Sequence, residues 1–175
     1  MESEHAVRWS AVIAETEAFP AFYREHQTGL VRLAMMLVGD EATAEDVVQD
    51  VFVRLHRNAP SLRDEGKLLA YVRTSVLNGC RSVLRRRKLM RRHAERYEPP
   101  AWSAESQAML GEDHREVMRA LHRLPRRQRE VLVLRFYADL PDEEIATTLK
   151  IRPSTVRSTM SRALGALERE LEDAS

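Results

Sequence analysis

The sequence predicts an all-α protein made of two small helical domains joined by a flexible linker, the second domain ending in a helix-turn-helix. Three observations carry this expectation. Ala, Leu, Glu and Arg dominate a chain of 175 residues that holds only 6 Gly, 7 Pro and 6% aromatic residues, a composition that favours helix over sheet. Apolar residues recur every three or four positions through most of the chain, which is the period of a helix with one buried face. The stretch YEPPAWSAES at 97–106 stops helix propagation on both sides with a Pro-Pro pair and small polar residues.

Taken in order, a first helix is expected from about 17 or 20 to 38, burying Phe19, Phe22, Tyr23, Leu30, Leu33, Ala34 and Leu37, with Gly39 and Asp40 ending it. A second is expected over 41–58, because Ala44, Val47, Val48, Val51, Phe52 and Leu55 share one face and Glu45, Asp46, Gln49, Asp50 and Arg54 share the other. Asn58 to Ser61 break the pattern, and a third helix over 68–92 has Leu69, Val72, Val76, Cys80, Val83 and Leu84 to bury, but almost nothing apolar in its tail from Arg85 onward. These elements form a first domain over 17–93, followed by a linker over 94–110 and a second domain over 111–172. There a helix over 106–123 (Met109, Val117, Leu121) is followed by one started by Pro125 (Val131, Leu132, Leu134). The last two helices lie in LPDEEIATTLKIRPSTVRSTMSRALGAL, residues 140–167. Asp142 is expected to cap the shorter one, Ile145, Ala146 and Leu149 to bury it, 150–152 to turn, and Pro153 to open the second.

The longer helix of that hairpin has a candidate apolar stripe at Val156, Met160, Leu164 and Leu167, opposite Ser154, Arg157, Ser158, Ser161 and Arg162. A short face of hydroxyls and arginines suits a helix that meets phosphates and base edges in a DNA groove. The same pattern is also compatible with an ordinary amphipathic hairpin.

Charge is divided unevenly. The net charge of +1 combines about −5 over 1–60, about +8 over 61–96 and about −2 over the remainder. The run Arg81, Arg85, Arg86, Arg87, Lys88, Arg91, Arg92, Arg96 has the density of cations expected of a nucleic-acid footprint, and the acidic segments beside it imply a second kind of partner. The single cysteine, Cys80, excludes an internal disulfide and a Cys-rich zinc site. No apolar run has the length of a signal peptide core or a membrane span, so a cytoplasmic protein without a membrane partner is expected. Residues 1–15 carry no signal, and no sensory domain is expected after the second helical one.

Three stretches, LVGDEATAEDVVQDVFVRL, AYVRTSVLNGCRSVLRRR and LHRLPRRQREVLVLRFYADLPDEEIATTLKIRPSTVRSTMSRAL, resemble regions two and four of bacterial RNA polymerase sigma factors of the extracytoplasmic-function group, in the family's order. The resemblance spans nearly everything from Phe19 to Leu171. It implies a transcription initiation factor with no catalysis of its own and no cofactor or metal. Its implied partners are the RNA polymerase core, through the β′ coiled coil and the β flap, and promoter DNA, both duplex and melted; an anti-sigma factor is a further partner the sequence leaves open.

The resemblance also implies site residues. Asp46, Gln49, Asp50 and Arg54 match the face that docks on core polymerase. Asp64, Lys67, Tyr71, Asn78, Arg81, Arg85, Arg86, Arg87 and Lys88 match the element that reads and melts the minus-ten region, with residues 64–69 as a pocket wall. Tyr71 is equally compatible with a core aromatic. Arg152, Ser154, Thr155, Arg157, Ser158, Ser161 and Arg162 match the minus-thirty-five reader, Arg157 for a base edge and Arg152 and Arg162 for phosphates. Arg126, Arg127 and Arg129 could meet phosphates or the flap, and the linker, with Glu98 and Glu105, could mimic nucleic acid or serve only as a tether. Two departures stand out: Lys150 occupies a turn position that is usually glycine, and Thr159 one that is often arginine.

Two other classes compete. A helix-turn-helix regulator that does not join core polymerase would account for 112–170 but not for the first domain. A DNA-processing enzyme would need convergent carboxylates or a nucleophile motif. Here the dense acids Glu45, Asp46 and Asp50 lie on one helix face, and His5, His26, His56, His93, His114 and His122 have no metal-ligand spacing.

Overall fold

Residues 18–57, 65–93 and 112–173 are described by the computed structural model, and the regular structure among them is entirely helical. Their contacts divide into two compact units, one holding the first three helices except for residues 35–41, which group with the other.

In the first unit, α1 spans Ala18–Val38, α2 Glu41–Arg57 and α3 Glu65–His93. Gly39, at φ +93°, ends α1 by donating its N–H to the Met35 carbonyl at 2.9 Å, a conformation open to a residue without Cβ. The expected faces meet: Phe19, Phe22 and Tyr23 of α1 surround Phe52 of α2, Tyr23 edge-on at 4.7 Å between ring centroids. Val72, Val76, Leu77 and Cys80 of α3 are buried. Gly79 lets α3 approach α2 closely, since a Cβ there would lie 2.8 Å from Val47 Cγ1. Helix α3 begins three residues before the expected 68. Leu77, outside the expected stripe, is buried in it, and Val83 and Leu84 are only half-buried.

In the second unit, α4 spans Glu112–Arg123, α5 Arg126–Leu132, α6 Asp142–Leu149 and α7 Pro153–Glu172. A π-helical turn, Val133–Tyr137, continues α5. Helix α7 packs against α4, α5 and α6, around a core that includes Leu121, Val131, Leu134, Ile145, Leu149, Val156 and Ala163. Val117, expected inside, is exposed, and its neighbour Met118 is buried instead. Pro125 is the N-cap of α5 rather than its first helical residue.

Two expectations about the hairpin are corrected. Asp142 does not cap α6: Pro141 is the N-cap, no side chain bonds the free N–H groups, and Asp142 is the first helical residue. The buried stripe of α7 runs through Val156, Thr159 and Ala163, while Met160 and Leu167 are half-buried and Leu164 is exposed. The i, i+3, i+7 spacing of the small side chains sets α7 close on its neighbours, and the larger Leu164 falls outside. The residues of the expected linker, 94–110, Asp64, Met109 and residues 1–15 lie outside the described residues.

Candidate nucleic-acid interface

Helix α7 is positioned by the turn before it. Lys150 adopts the left-handed conformation (φ 55°, ψ 49°) that ends α6, and Ile151 donates to the Ala146 carbonyl at 3.0 Å. The turn therefore takes the geometry usually given to glycine, with lysine bearing the steric cost. Pro153 opens α7, its missing N–H falling where no helical partner exists. Arg152, Ser154, Thr155, Arg157, Ser158, Ser161 and Arg162 are all exposed, so the expected face is intact. Arg162 Nε donates to the Ser158 carbonyl at 3.1 Å, and Ser158 Oγ to that of Thr155 at 3.2 Å. Arg157 Nη1 lies 3.8 Å from Asp142 Oδ2, and Asp142 Oδ1 lies 3.8 Å from Arg135 Nη1. Thr159, 4% exposed, belongs to the core and not to this face.

Behind the turn sits a buried charge that the sequence reading missed. Glu130 is 1% exposed; its Oε2 accepts from Arg127 Nη1 at 3.3 Å and its Oε1 lies 3.6 Å from Arg126 Nε. Arg127 also donates to the Leu149 carbonyl at 3.4 Å, tying α5 to the end of α6. Arg129 is buried and donates to the His122 carbonyl at 3.1 Å, with His122 Nδ1 at 3.0 Å. Burial first, and then the Arg129 charge, push the His122 pKa down from 6.5 to about 4. Of the three arginines proposed for phosphates or the flap, Arg129 is thus built into the domain. The spacing of Arg126 and Arg127 from Glu130 was legible as helical ion pairs; that Glu130 would be buried was not.

In the first unit, Glu45, Asp46, Gln49, Asp50 and Arg54 are exposed along α2, with Arg54 paired to Asp50 at 3.7 Å. A groove of about 930 Å³ between α2 and α3 brings Asp46, Gln49, Asp50 and Arg54 to one wall and Tyr71, Asn78 and the Arg85–Arg87 run to the other. Tyr71 is 49% exposed, which resolves it away from the core. Asn78 is exposed and accepts from Arg81 Nη1 at 3.4 Å. Lys67, Arg85, Arg86 and Lys88 are exposed, whereas Arg87 is half-buried and donates to Thr43 Oγ1 at 2.6 Å, pinning the basic end of α3 to the start of α2. No group of His, Cys, Asp and Glu among the described residues is arranged to hold a metal ion, and no described helix is long and apolar enough to cross a membrane.

The described residues thus form a helical protein whose second unit carries a helix-turn-helix with an exposed polar face. Residues 22–90 match the model of sigma-70 region 2, and residues 114–167 that of sigma-70 region 4. The RNA polymerase sigma-E factor of Streptomyces avermitilis is 33% identical over 158 residues, covering 90% of this chain and 87% of its own length. The ECF RNA polymerase sigma factor SigM of Mycobacterium tuberculosis is 31% identical over 163 residues, covering 91% and 80%. Two solved structures share the fold. The sigma factor RpoE of Bartonella quintana, in complex with the anti-sigma factor NepR, has a TM-score of 0.77 at 23% identity over 90% of this chain and 98% of that one. CnrH, in complex with the cytosolic domain of CnrY, has a TM-score of 0.70 at 22% identity over 97% and 96%. The chain belongs to the sigma-70 family and is an RNA polymerase sigma factor of its extracytoplasmic-function group.

Proposed function

We propose that this sigma factor divides its work among three faces. The α2 face, Asp46, Gln49, Asp50 and Arg54, docks on the β′ coiled coil of core polymerase, its negative charge speeding the encounter and its polar groups fixing the register. The first two-thirds of α3 captures unpaired minus-ten bases, Tyr71 by stacking and Asn78 and Arg81 by hydrogen bonds, while Lys67 and, further along, Arg85, Arg86 and Lys88 hold phosphates. A protein without catalysis or ATP of its own must favour the opened strand by binding it. The exposed face of α7 reads the duplex minus-thirty-five element, Arg157 at a base edge and Arg152 and Arg162 at phosphates. The proposed domain limits are 17–93, 94–110 and 111–172, the middle segment joining two independently bound regions. The site of action is the cytoplasm, where polymerase works.

The observation that carries this reading is the two-sidedness of α7, with Val156, Thr159 and Ala163 inside and a continuous hydroxyl and arginine face outside. The sigma factor RpoE of Bartonella quintana is bound to the anti-sigma factor NepR, and a protein that covers these faces is the class of regulator proposed for this chain. Mixing the protein with core polymerase tests the first assignment: a one-to-one complex is expected, and Gln49→Ala with Asp50→Ala is expected to weaken it at unchanged helicity. Undiminished assembly of the double variant overturns the α2 assignment.

A further inference from the structure

Arg157 does not stand alone on α7. We propose that Asp142 is the positioning residue for Arg157, fixing its guanidinium for one base pair of the upstream promoter element and making the protein more selective at the expense of bulk affinity. The proposal rests on the reading of α7 as the helix that meets duplex DNA.

The geometry is a relay. Arg135, on the π-helical turn, donates through Nη1 to the Leu140 carbonyl at 3.1 Å, so its guanidinium is tied to the backbone. Its Nη1 lies 3.8 Å from Asp142 Oδ1, and the other oxygen of the same carboxylate lies 3.8 Å from Arg157 Nη1. The Asp142 side chain is 21% exposed while that of Arg157 is 64% exposed, so the acid is the sheltered partner and the arginine extends from it into solvent. Asp142 stands at the first turn of α6 yet caps nothing. Glu143 and Glu144, in the same turn, are exposed and serve the helix dipole equally well. What distinguishes Asp142 is that its carboxylate is aimed between two arginines.

An arginine reads guanine by a two-pronged contact whose orientation must be fixed before its discrimination is realised, and a side chain held by a neighbour loses less freedom on docking. The same carboxylate is repelled by phosphates, so it weakens binding to any duplex. Neutralising it therefore acts in two opposite directions, and neither a folding defect nor a plain charge effect produces that pair of signs.

The test uses the full chain assembled with core polymerase on promoter fragments randomised in the upstream element, comparing wild type, Asp142→Asn, Asp142→Glu, Arg157→Ala and the Asp142→Asn, Arg157→Ala double variant. Asp142→Asn is expected to lose about two- to fivefold of the preference at the single position that Arg157→Ala erases, the size of an exposed ion pair. Its retention on unrelated duplex is expected to rise about twofold, at an unchanged melting temperature. Asp142→Glu recovers most of the preference, and the double variant matches Arg157→Ala. Unchanged selectivity in Asp142→Asn, a loss spread evenly over all positions, or a loss that persists when Arg157 is absent overturns the proposal while leaving α7 as the reader. A wild type that selects no sequence, or an Arg157→Ala variant as selective as wild type, overturns the reading of α7 and the proposal with it.

Discussion

Replacing Thr159 by arginine separates a core position from a DNA-facing one. Thr159 is 4% exposed, between Val156 and Ala163, both 0% exposed, on the side of α7 that packs against α4, α5 and α6. An arginine there must force its stem into a filled interior, at about 1–3 kcal/mol for the overpacking, and must either leave a guanidinium poorly solvated or thread it past half-buried Met160 and Leu167 to water. A total of about 2–4 kcal/mol follows. A unit of roughly sixty residues is stable by only about 3–9 kcal/mol, so much of its margin is removed. Thr159→Val, which keeps shape and drops the hydroxyl, is expected to stay within about 1 kcal/mol of wild type. Thermal unfolding followed by circular dichroism, with binding to duplex promoter DNA, provides the readout: the arginine variant melts earlier and binds less. A Thr159→Arg protein that melts like wild type and holds DNA more tightly would refute the buried position.

Lys150→Gly is expected to stabilise the second unit by about 0.5–1 kcal/mol, because the left-handed penalty at φ 55° exceeds the chain entropy that glycine restores to the unfolded state; chemical denaturation checks it, and a lower midpoint argues against it. Arg86→Ala with Lys88→Ala, both exposed, should reduce the slope of log affinity against log salt by about 1.4 on single-stranded DNA and up to about 1.8 on forked DNA, measured by fluorescence anisotropy; an unchanged slope removes both from the phosphate track. The His122 pKa, lowered to about 4, means that the folded protein keeps this ring neutral while the unfolded chain protonates it below about 6.5. The resulting stability is fully present above pH 6.5 and is lost as pH falls toward 4, up to about 3 kcal/mol. Unfolding measured across that range should show a shallower loss in His122→Gln, and parallel curves would contradict the assignment.

The helices were legible in the sequence because burial here follows a 3.6-residue period so closely: all six apolar residues predicted for α2 are buried, and the acidic face opposite them is exposed. The exposed polar residues of α7 were legible for the same reason. What periodicity alone did not resolve was which of several apolar residues would face inward when small polar ones competed for close contact. Thr159 and Ala163 are buried while Leu164 is not, since that choice is made by neighbouring helices. Tyr71 posed the same ambiguity at the edge of a stripe. The arrangement of charge was partly hidden as well. Arg126, Arg127 and Glu130 are visible as a helical triplet, but the bond from Arg127 to the Leu149 carbonyl, and the pairing of Asp142 with Arg157, join residues whose approach depends on the turn.

Transcription from DNA fragments by core polymerase, with and without the purified chain, tests the central claim most directly. With the chain present, RNA is expected from discrete start sites that core polymerase alone does not use, and the Gln49→Ala, Asp50→Ala variant is expected to reduce that RNA in step with its weakened assembly. A folded protein that joins core polymerase yet directs no new start site on any fragment would contradict the account.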